Sequence, residues 1–507
     1  MKGKLFTLFM FSFLLLPKVN IAQEITIDVN KPKKVAPIVY GFHYEEIGMI
    51  GEGGLYAEMV RNRGFEEANL PKNTPVKNGI FEDFSHFQTH RKKIEPVDPL
   101  IGWLTTPLPY SPIKIERTDF NPLNENTPHS MHVVLNPAKG YEGAAIHNTG
   151  FYGMCFRKGD SYDLSFYIRP GSFQGKLKVR LSDKQANPIS EEKQFEIVRG
   201  KEWIKLSAQL ISNANEERGM LSIIPEGIGS FQLDMVSMFP GNTWDDGKSV
   251  FRKDIMQNLA DYSPDFLRFP GGCIVHGMNE QTMYHWKETI GDISRRPGAW
   301  SKWAPYYRTD GLGYHEFYEL CEYLGADAMY VTSVGMVCTE FVNRDKDNNF
   351  KHLDTDVQFY INDALDAIEY AIGDVTSKWG AERAKNGHPE PFPLKYIEIG
   401  NEDFGPEYYK RYEKFYNAIK AKYPQLKLIA NSRIGKAFDN KRIELPNFTD
   451  QSHIEILDEH YYQPIEWVLK NLNKFDQYSR KGPDVFIGEL GIDGSYPNNI
   501  LGEGIFK

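Results

Sequence analysis

The chain of 507 residues is too long for one ordinary domain, since typical domains have roughly 100–200 residues and barrels up to about 250. Hydrophobic residues at 41% and charged residues at 25% exclude a disordered chain and a polytopic membrane protein. Lys+Arg 59 against Asp+Glu 68 gives a net charge of −9, the wrong sign for neutralising many nucleic-acid phosphates. We therefore expect two or three domains and no nucleic-acid partner.

A short apolar segment follows the start of the chain. Lys2 and Lys4 precede an apolar run over residues 5–16, too short to span about 30 Å of hydrocarbon but long enough for a signal-peptide core. The pattern predicts a signal peptide over residues 1–22, with cleavage near Ala22. We expect an exported protein, periplasmic or extracellular, without a membrane span.

Residues 23–68 are predicted to hold the first strand and helix of a barrel. Residues 38–44 have the pattern of a strand that runs into a Gly-rich loop, and residues 55–62 have helical spacing of apolar side chains. Over residues 69–242 the pattern changes to short alternating runs separated by Gly, Pro, Asn and Ser turns. Such runs are typical of a β-sandwich, so we expect an inserted domain there.

In residues 243–507 helices alternate with short apolar strands, which indicates an α/β domain. One strand before the sandwich and six after it predict a (β/α)₈ TIM barrel interrupted after its first unit. No periodic eighth strand follows Glu489, so we expect that strand to be missing and the barrel to be truncated at its C-terminus. Because a missing strand exposes two sheet edges, the activity of such a chain is an open question. The six later strands are predicted at 266–269, 329–334, 395–399, 426–430, 454–460 and 485–488, and the clearest helices at 314–324, 357–372 and 407–422.

Two Glu residues stand at the ends of predicted barrel strands. Glu402 follows the strand over residues 395–399, and Glu489 follows a strand three places further along. Barrel enzymes place their chemistry at this face. Opposed carboxylates there suit glycoside hydrolysis, in which one group protonates the leaving oxygen and the other attacks the sugar carbon. Either Glu alone is as often a solvated loop residue, but the pair favours a catalytic interpretation.

Four motifs resemble glycoside hydrolase family 51, the α-L-arabinofuranosidases of the large clan of retaining (β/α)₈ hydrolases. The resemblance spans residues 25–493, and the second-strand motif together with Gly-Asn-Glu makes it specific. The motifs are YGFHYEEIG at 40–48 on the first strand, LRFPGGC at 267–273 on the second, GNE at 400–402 on the fourth and GE at 488–489 on the seventh.

The resemblance implies a role for each matching residue. Glu402 would be the general acid/base and Glu489 the nucleophile, which forms a covalent arabinosyl-enzyme with net retention. Asn401 would hydrogen-bond the sugar 2-hydroxyl, and Glu45 would hold other ring hydroxyls. Cys273 lies where the family places a sugar-contacting residue, and a small buried thiol is the alternative.

The sixth strand ends in several polar residues. In this clan a residue here commonly contacts the nucleophile, and strand alternation puts His460 and Tyr462 on one face and Tyr461 on the other. Which face points inward is not fixed by the sequence. Asp458, Glu459 and His460 could also act as metal ligands, but cleavage of a glycosidic bond needs no metal. We predict neither a metal nor a cofactor.

Two further features are weaker. Residues 140–168 of the insert resemble a carbohydrate-binding jelly roll, although half of a sandwich's aromatic side chains face its core. The four cysteines have no CxxC spacing and are too few for a disulfide framework, so we expect mostly buried thiols. The candidate sugar platforms are Tyr141, Tyr152, Tyr162 and Trp203, and the cysteines are Cys155, Cys273, Cys321 and Cys338.

The function that the sequence favours is a retaining glycoside hydrolase that releases non-reducing-end α-L-arabinofuranose from arabinose-containing plant oligo- or polysaccharides. Carboxylate pairs do not encode the sugar, so another retaining glycosidase, an endo-glucanase or a β-xylosidase, is an alternative. A carbohydrate-binding fragment without turnover is a second alternative. Oligomerisation is left open by the sequence.

Overall fold

A computed structural model gives the architecture of the chain. The predicted signal peptide lies outside the described residues. Among the helices that the structure describes, none is both long and apolar enough to cross a membrane. The described residues are 40–69, 76–77, 80–81, 97–107, 111–136, 144–277, 280, 282–300, 307–336, 355–432 and 451–492.

The first barrel strand is short and an irregular turn follows it. Strand β1 spans Phe42–His43, and the turn spans Gly51–Leu55. The expectation of a helix over residues 55–62 is wrong, because the backbone there is irregular. The physical reason is a distant partner: the backbone N–H of Ala57 donates to the carbonyl of Val250 at 2.8 Å instead of to its own turn.

Thirteen short strands follow in the described residues, and most of them form two antiparallel sheets. One sheet has the order β11-β10-β13-β7-β4, with β8 also pairing with β13, and the other has the order β12-β9-β14-β6-β5. The strands are β2 Val76–Lys77, β3 Ile80–Phe81, β4 Trp103–Thr106, β5 Ile113–Thr118, β6 Ser130–Leu135, β7 Ala145–Asn148, β8 Met154–Phe156, β9 Ser161–Arg169, β10 Gln174–Ser182, β11 Lys193–Ile197, β12 Ile204–Ile211, β13 Glu216–Ile228 and β14 Ser230–Pro240.

The two antiparallel sheets share one apolar core. In β9 every second side chain is buried, including Leu164, Phe166 and Ile168, as the period-2 pattern predicts for a half-buried strand. Phe166 packs edge-on against Phe195 of β11 in the other sheet, with ring centroids 5.8 Å apart. The alternating pattern of the sequence is thus the source of this core.

After the sandwich the chain alternates between strands and helices. Helix α2 has the predicted bounds and ends at Gly325, whose φ of +64° is the left-handed C-cap conformation. Helix α5 starts at Pro406, whose fixed φ suits the first turn. The elements are α1 Lys253–Tyr262, β15 Phe266–Phe269, β16 Ala299–Trp300, β17 Tyr307–Arg308, α2 Tyr314–Leu324, β18 Asp327–Thr332, α3 Val357–Ile372, α4 Lys378–Lys385, β19 Leu394–Ile399, α5 Pro406–Lys422, β20 Lys427–Asn431, β21 Ile456–Gln463, α6 Ile465–Lys470 and β22 Asp484–Ile492.

Seven parallel strands of the described residues form one sheet in the order β1-β15-β18-β19-β20-β21-β22. The first pair joins strands on either side of the insert, with Phe42 opposite Leu267. The sheet is nearly closed, because the side chain of His43 on the first strand lies 3.9 Å from that of Glu489 on the last. The α/β, barrel-like prediction is confirmed at this level.

Candidate active site

The mouth of the barrel is built where β19 turns. Strand β19 ends at Ile399, and Gly400 follows with φ +86°. A Cβ on Gly400 would lie 2.4 Å from a carboxylate oxygen of Asp403, so no larger residue fits this turn. Glu402 also has a positive φ of +56° and is buried. The turn thereby directs the Glu402 carboxylate into the barrel.

Glu402 and Glu489 meet inside the barrel. One carboxylate oxygen from each and a ring nitrogen of His460 all lie within 4.8 Å of one another. Retaining glycosidases hold their two carboxyl groups about 5–5.5 Å apart, whereas inverting enzymes leave roughly 6.5–9.5 Å for a water molecule. The close spacing of these two groups fits the retaining geometry.

Arg268 of β15 lies at the centre of the site and is completely buried. Its guanidinium donates to both oxygens of Glu398, at 2.6 and 3.0 Å. The same group donates to Glu489 Oε1 at 3.1 Å and to Asn401 Oδ1 at 2.8 Å. Because these contacts use a planar fork with several donors, one side chain orients three others, two from β19 and the turn after it and one from β22.

Glu489 is ionised although it is buried. Burial alone would raise its pKa, but the positive charges of His460 and Arg268 hold the pKa well below its usual range. The Tyr462 hydroxyl also donates to Glu489 Oε2. An ionised carboxylate with fixed donors is what nucleophilic attack on a sugar carbon requires.

His460 of β21 connects the two carboxylates to a buried acid. Its Nε2 lies 2.7 Å from Asp458 Oδ2, and its Nδ1 lies 2.9 Å from Glu402 Oε1 and 3.5 Å from Glu489 Oε2. Burial opposes the charged ring, but Asp458 and Glu489 raise the pKa of His460 well above its usual value. The imidazolium can therefore donate from both nitrogens, and its charge favours the ionised form of Glu489.

The residues assigned to sugar contact lie around this pair. Asn401 is fully buried, and its backbone N–H donates to His276 Nε2 at 3.1 Å. Glu45, at the end of β1, accepts from the backbone N–H of Ile274 at 3.2 Å. One oxygen of Glu45 also lies within 4.8 Å of ligand atoms of His43 and Glu489. The structure thus places Asn401 and Glu45 beside the carboxylates.

The cysteines differ from the expectation of buried thiols. Cys273 is disulfide-bonded, Cys155 is free but exposed, and only Cys321 is a free buried thiol among the described cysteines. Cys338 lies outside the described residues. The sulfur of Cys273 is 3.8 Å from Glu402 Oε2, which places this residue beside the carboxylate. Pairing of distant cysteines leaves no local pattern, so the sequence could not reveal it.

Side chains along β21 alternate between the inner and the outer face of the barrel sheet. His460 and Tyr462 contact Glu489, whereas the Tyr461 ring stacks on Trp467 outside the sheet. Glu459 also points outward and accepts from the hydroxyl of Tyr461. Asp458, Glu459 and His460 therefore do not converge as a set of metal ligands.

Other groups bring three potential ligand atoms within 4.8 Å of one another. In the two groups that contain His460, both of its ring nitrogens already contact carboxylates. In the group without His460, a ring nitrogen of His43 lies 3.9 Å from Glu489 Oε1. The three groups are His43, Glu45 and Glu489; Glu398, Asp458 and His460; and Glu402, His460 and Glu489.

Sequence reasoning assigned no role to four residues that hold the site together. Arg268 stood inside a recognised motif, and His43 lies 3.1 Å from its guanidinium. Glu398 is the one acidic residue of the mostly apolar β19, and Asp458 directly follows the apolar start of β21, which are signals that could have found them. Burial makes Glu398 harder to ionise and raises its pKa to about 7, although Arg268 lowers it.

Comparisons with known proteins identify similar proteins. Residues 258–480 match the model of the alpha-L-arabinofuranosidase 1 domain. An extracellular exo-alpha-L-arabinofuranosidase of Streptomyces chartreusis is 31% identical over 95% of this chain and 54% of its own length. Alpha-L-arabinofuranosidase 1 of Arabidopsis thaliana is 32% identical over 94% of this chain and 64% of its own length.

A solved structure agrees with these relatives. An arabinose-bound GH51 α-L-arabinofuranosidase superposes with a TM-score of 0.72 at 26% identity, covering 90% of this chain and 66% of that one. The chain spans between half and two thirds of the curated relatives named above. These matches confirm the resemblance that the motifs indicated: the chain is similar to the α-L-arabinofuranosidases of glycoside hydrolase family 51.

Proposed function

We propose that the protein is a retaining glycoside hydrolase that releases non-reducing-end α-L-arabinofuranose from arabinose-containing oligo- or polysaccharides. The observation that carries this proposal is the approach of Glu402 and Glu489 within 4.8 Å inside a buried, charged pocket. The identity of the sugar in this proposal comes from the relatives, which are named as arabinofuranosidases.

The reaction then has two steps. The ionised Glu489 attacks the anomeric carbon while protonated Glu402 gives its proton to the leaving oxygen, so the glycosidic bond breaks and an arabinosyl ester forms. In the second step Glu402, now ionised, takes a proton from water as the water attacks the same carbon and releases Glu489. Two inversions give net retention.

The surrounding side chains would bind the sugar. Asn401 and Glu45 offer oxygen and nitrogen atoms to ring hydroxyls, and Cys273 lies beside Glu402. Tyr462 donates to the nucleophile and His460 forms an ion pair with it at 3.5 Å, so both also fix its orientation. Because a hydroxyl bound to a charged acceptor is held strongly, Glu45 is expected to contribute most to sugar affinity.

The domain organisation and the location belong to the same proposal. Residues 1–22 would be a signal peptide, 23–68 the start of the barrel, 69–242 an inserted jelly roll and 243–507 the remainder of the catalytic barrel. The Streptomyces relative is described as extracellular, which supports export of this chain.

Hydrolysis of a substrate panel tests the proposal. We expect the chain to cleave an aryl α-L-arabinofuranoside faster than an aryl β-xyloside or a cellulosic substrate, and proton NMR should show the retained anomer as the first product. Fastest turnover of the glucan, or an inverted first product, would overturn the assignment.

The Glu402→Gln variant tests the acid/base role. Activated aryl leaving groups need little protonation, so this variant should lose about 10-fold on them but roughly 10²–10⁴-fold on an unactivated arabino-oligosaccharide. The ratio of the two kcat/KM values measures the effect. Equal losses on both substrates would contradict the role of Glu402.

A further inference from the structure

An open groove lies outside the catalytic pocket, between the sandwich and the barrel. It has a volume of ≈ 630 Å³, within the range of about 300–1,000 Å³ that is usual for ligand sites. Its walls come from the turn after β7, the segment over residues 53–59 and the first turns of α1. Its lining includes none of the barrel-mouth residues Glu45, Cys273, Asn401, Glu402 and Glu489, but it does include Tyr152 and Tyr162, two of the candidate sugar platforms of the insert.

The groove carries a flat aromatic side chain that is open to solvent. Tyr152 is 75% exposed at the tip of a turn. The turn is fixed, because the backbone N–H of Gly153 donates to the carbonyl of Thr149 at 3.0 Å. Phe151 packs so closely on Gly53 that a Cβ there would lie 2.7 Å from its ring. The Tyr152 ring is therefore presented on a rigid support and is not buried in a core.

Polar groups held by their neighbours face the same groove. Arg252 donates twice to Asp254, at 3.1 and 2.6 Å, on the first turn of α1. Also in the lining, Asn242 donates to Asp160 Oδ2 at 3.3 Å. Positioned charges and amides retain free lone pairs and protons, which suit the hydroxyl groups of a sugar. An aromatic face with such groups beside it fits a carbohydrate better than an apolar ligand.

The groove continues from the segment that also carries Glu45. The Tyr152 hydroxyl lies 3.9 Å from the sulfur of Met49. Met49 is four positions after Glu45, so their Cα atoms are at most roughly 14 Å apart. A substrate chain of a few sugar units that leaves the catalytic pocket on this side therefore reaches the Tyr152 ring.

We propose that this groove is a second carbohydrate site, which binds the polysaccharide chain that carries the arabinose to be released. Tyr152 is its stacking platform, and the Arg252–Asp254 and Asn242–Asp160 pairs are its hydrogen-bonding groups. The site rests on the proposed function for the identity of the sugar. In this proposal the groove between the sandwich and the barrel helps to capture the substrate.

The first test compares polymeric and small substrates. In Tyr152→Ala the ratio of kcat/KM on arabinan to kcat/KM on an aryl arabinofuranoside should fall about fivefold to tenfold, whereas Tyr152→Phe, which keeps the ring, should fall less than about twofold. Phe120→Ala is the matched control, since Phe120 is 68% exposed on the sandwich but does not line the groove. An unchanged ratio in Tyr152→Ala, or an equal fall in Phe120→Ala, would overturn the proposal.

The second test does not depend on turnover. Cys155 is an exposed free thiol that lines the groove, so a bound oligosaccharide should slow its modification by Ellman's reagent. The measurement uses arabino-oligosaccharides on the Glu489→Gln background, with Cys155→Ser as the blank. Protection that disappears in Tyr152→Ala supports the site even if aryl arabinofuranosides are not cleaved. Absence of protection, or equal protection in Tyr152→Ala, would overturn it.

Discussion

The barrel mouth and the sandwich each bury a carboxyl group, but in opposite states. Asp234 of β14 is fully buried, its Oδ2 has no hydrogen-bond partner, and burial raises its pKa well above the usual value. Glu489 is also buried, yet His460 and Arg268 hold its pKa well below the usual range. A buried acid is thus neutral where its neighbours are apolar and ionised where cations surround it.

This difference shows that charged side chains are buried at the barrel mouth, despite the free-energy cost of removing them from water, and not in the sandwich core. The sandwich core is filled by apolar side chains, and its small buried hydroxyls bond to one another, as in the 2.7 Å contact of Ser182 with Ser222. The barrel mouth instead concentrates Arg268, Glu398 and Asp458 away from water. Ion pairs of this kind seldom stabilise a fold relative to apolar packing, so their presence at one place indicates chemistry there.

The largest expected effect is the loss of turnover in Glu489→Gln. The amide keeps the shape but cannot form the glycosyl ester, so kcat should fall by at least about 10⁴-fold on aryl arabinofuranosides. Glu459→Gln is the matched control. Glu459 lies on β21, the strand next to that of Glu489, but its side chain points outward and accepts from the Tyr461 hydroxyl. If the two variants lost activity equally, the contrast between the inner and outer carboxylates would be wrong.

A smaller effect is expected from Arg268→Met. Removing the cation leaves Glu398 and Glu489 without their partner in a buried site, which should lower the free energy of unfolding by about 3–5 kcal/mol. Urea unfolding followed by circular dichroism measures it. Arg268→Lys keeps the charge but loses the planar fork, so it should cost less. A loss below about 1 kcal/mol in Arg268→Met would show that the network is not what holds the mouth together.

The smallest effect is expected for Asp234→Asn in the sandwich, and its sign depends on pH. A carboxyl whose folded pKa is raised contributes stability that is full below the unfolded value of 3.8 and is lost as pH rises towards the folded value. The stability of Asp234→Asn relative to the parent chain should therefore rise with pH above about 4. Melting temperatures measured from pH 4 to pH 8 check this, and a constant difference would contradict a neutral Asp234.

Local signals in the sequence predicted much of the fold. Helix α2 has the predicted bounds because its C-cap glycine and its apolar spacing are both encoded within a few residues. The predicted helix over residues 55–62 failed because the hydrogen-bond partner of Ala57 is Val250, almost two hundred positions away in the chain. Helix propensity read from neighbouring residues contains no information about such a distant hydrogen-bond partner.

The same distinction applies to the site. The rule that barrel chemistry follows strand ends selected Glu402 and Glu489 as partners from sequence alone, and the structure brings them together. The contacts of Arg268 with several site residues were not predicted, because its partners Glu398 and Asn401 lie on β19 and in the turn after it, more than a hundred positions away in the chain. The inward face of β21 could not be predicted either, because it depends on how the strand pairs with its neighbours.

The pairing of β1 with β15 has a consequence for how the chain folds. The two strands are joined although His43 and Arg268 are 225 positions apart. Closing an unstructured loop of that length costs roughly 5 kcal/mol of chain entropy, which slows non-local pairing. If the two antiparallel sheets fold first, they replace that loop with a compact body and bring its two ends together, which lowers the entropic cost of pairing β1 with β15.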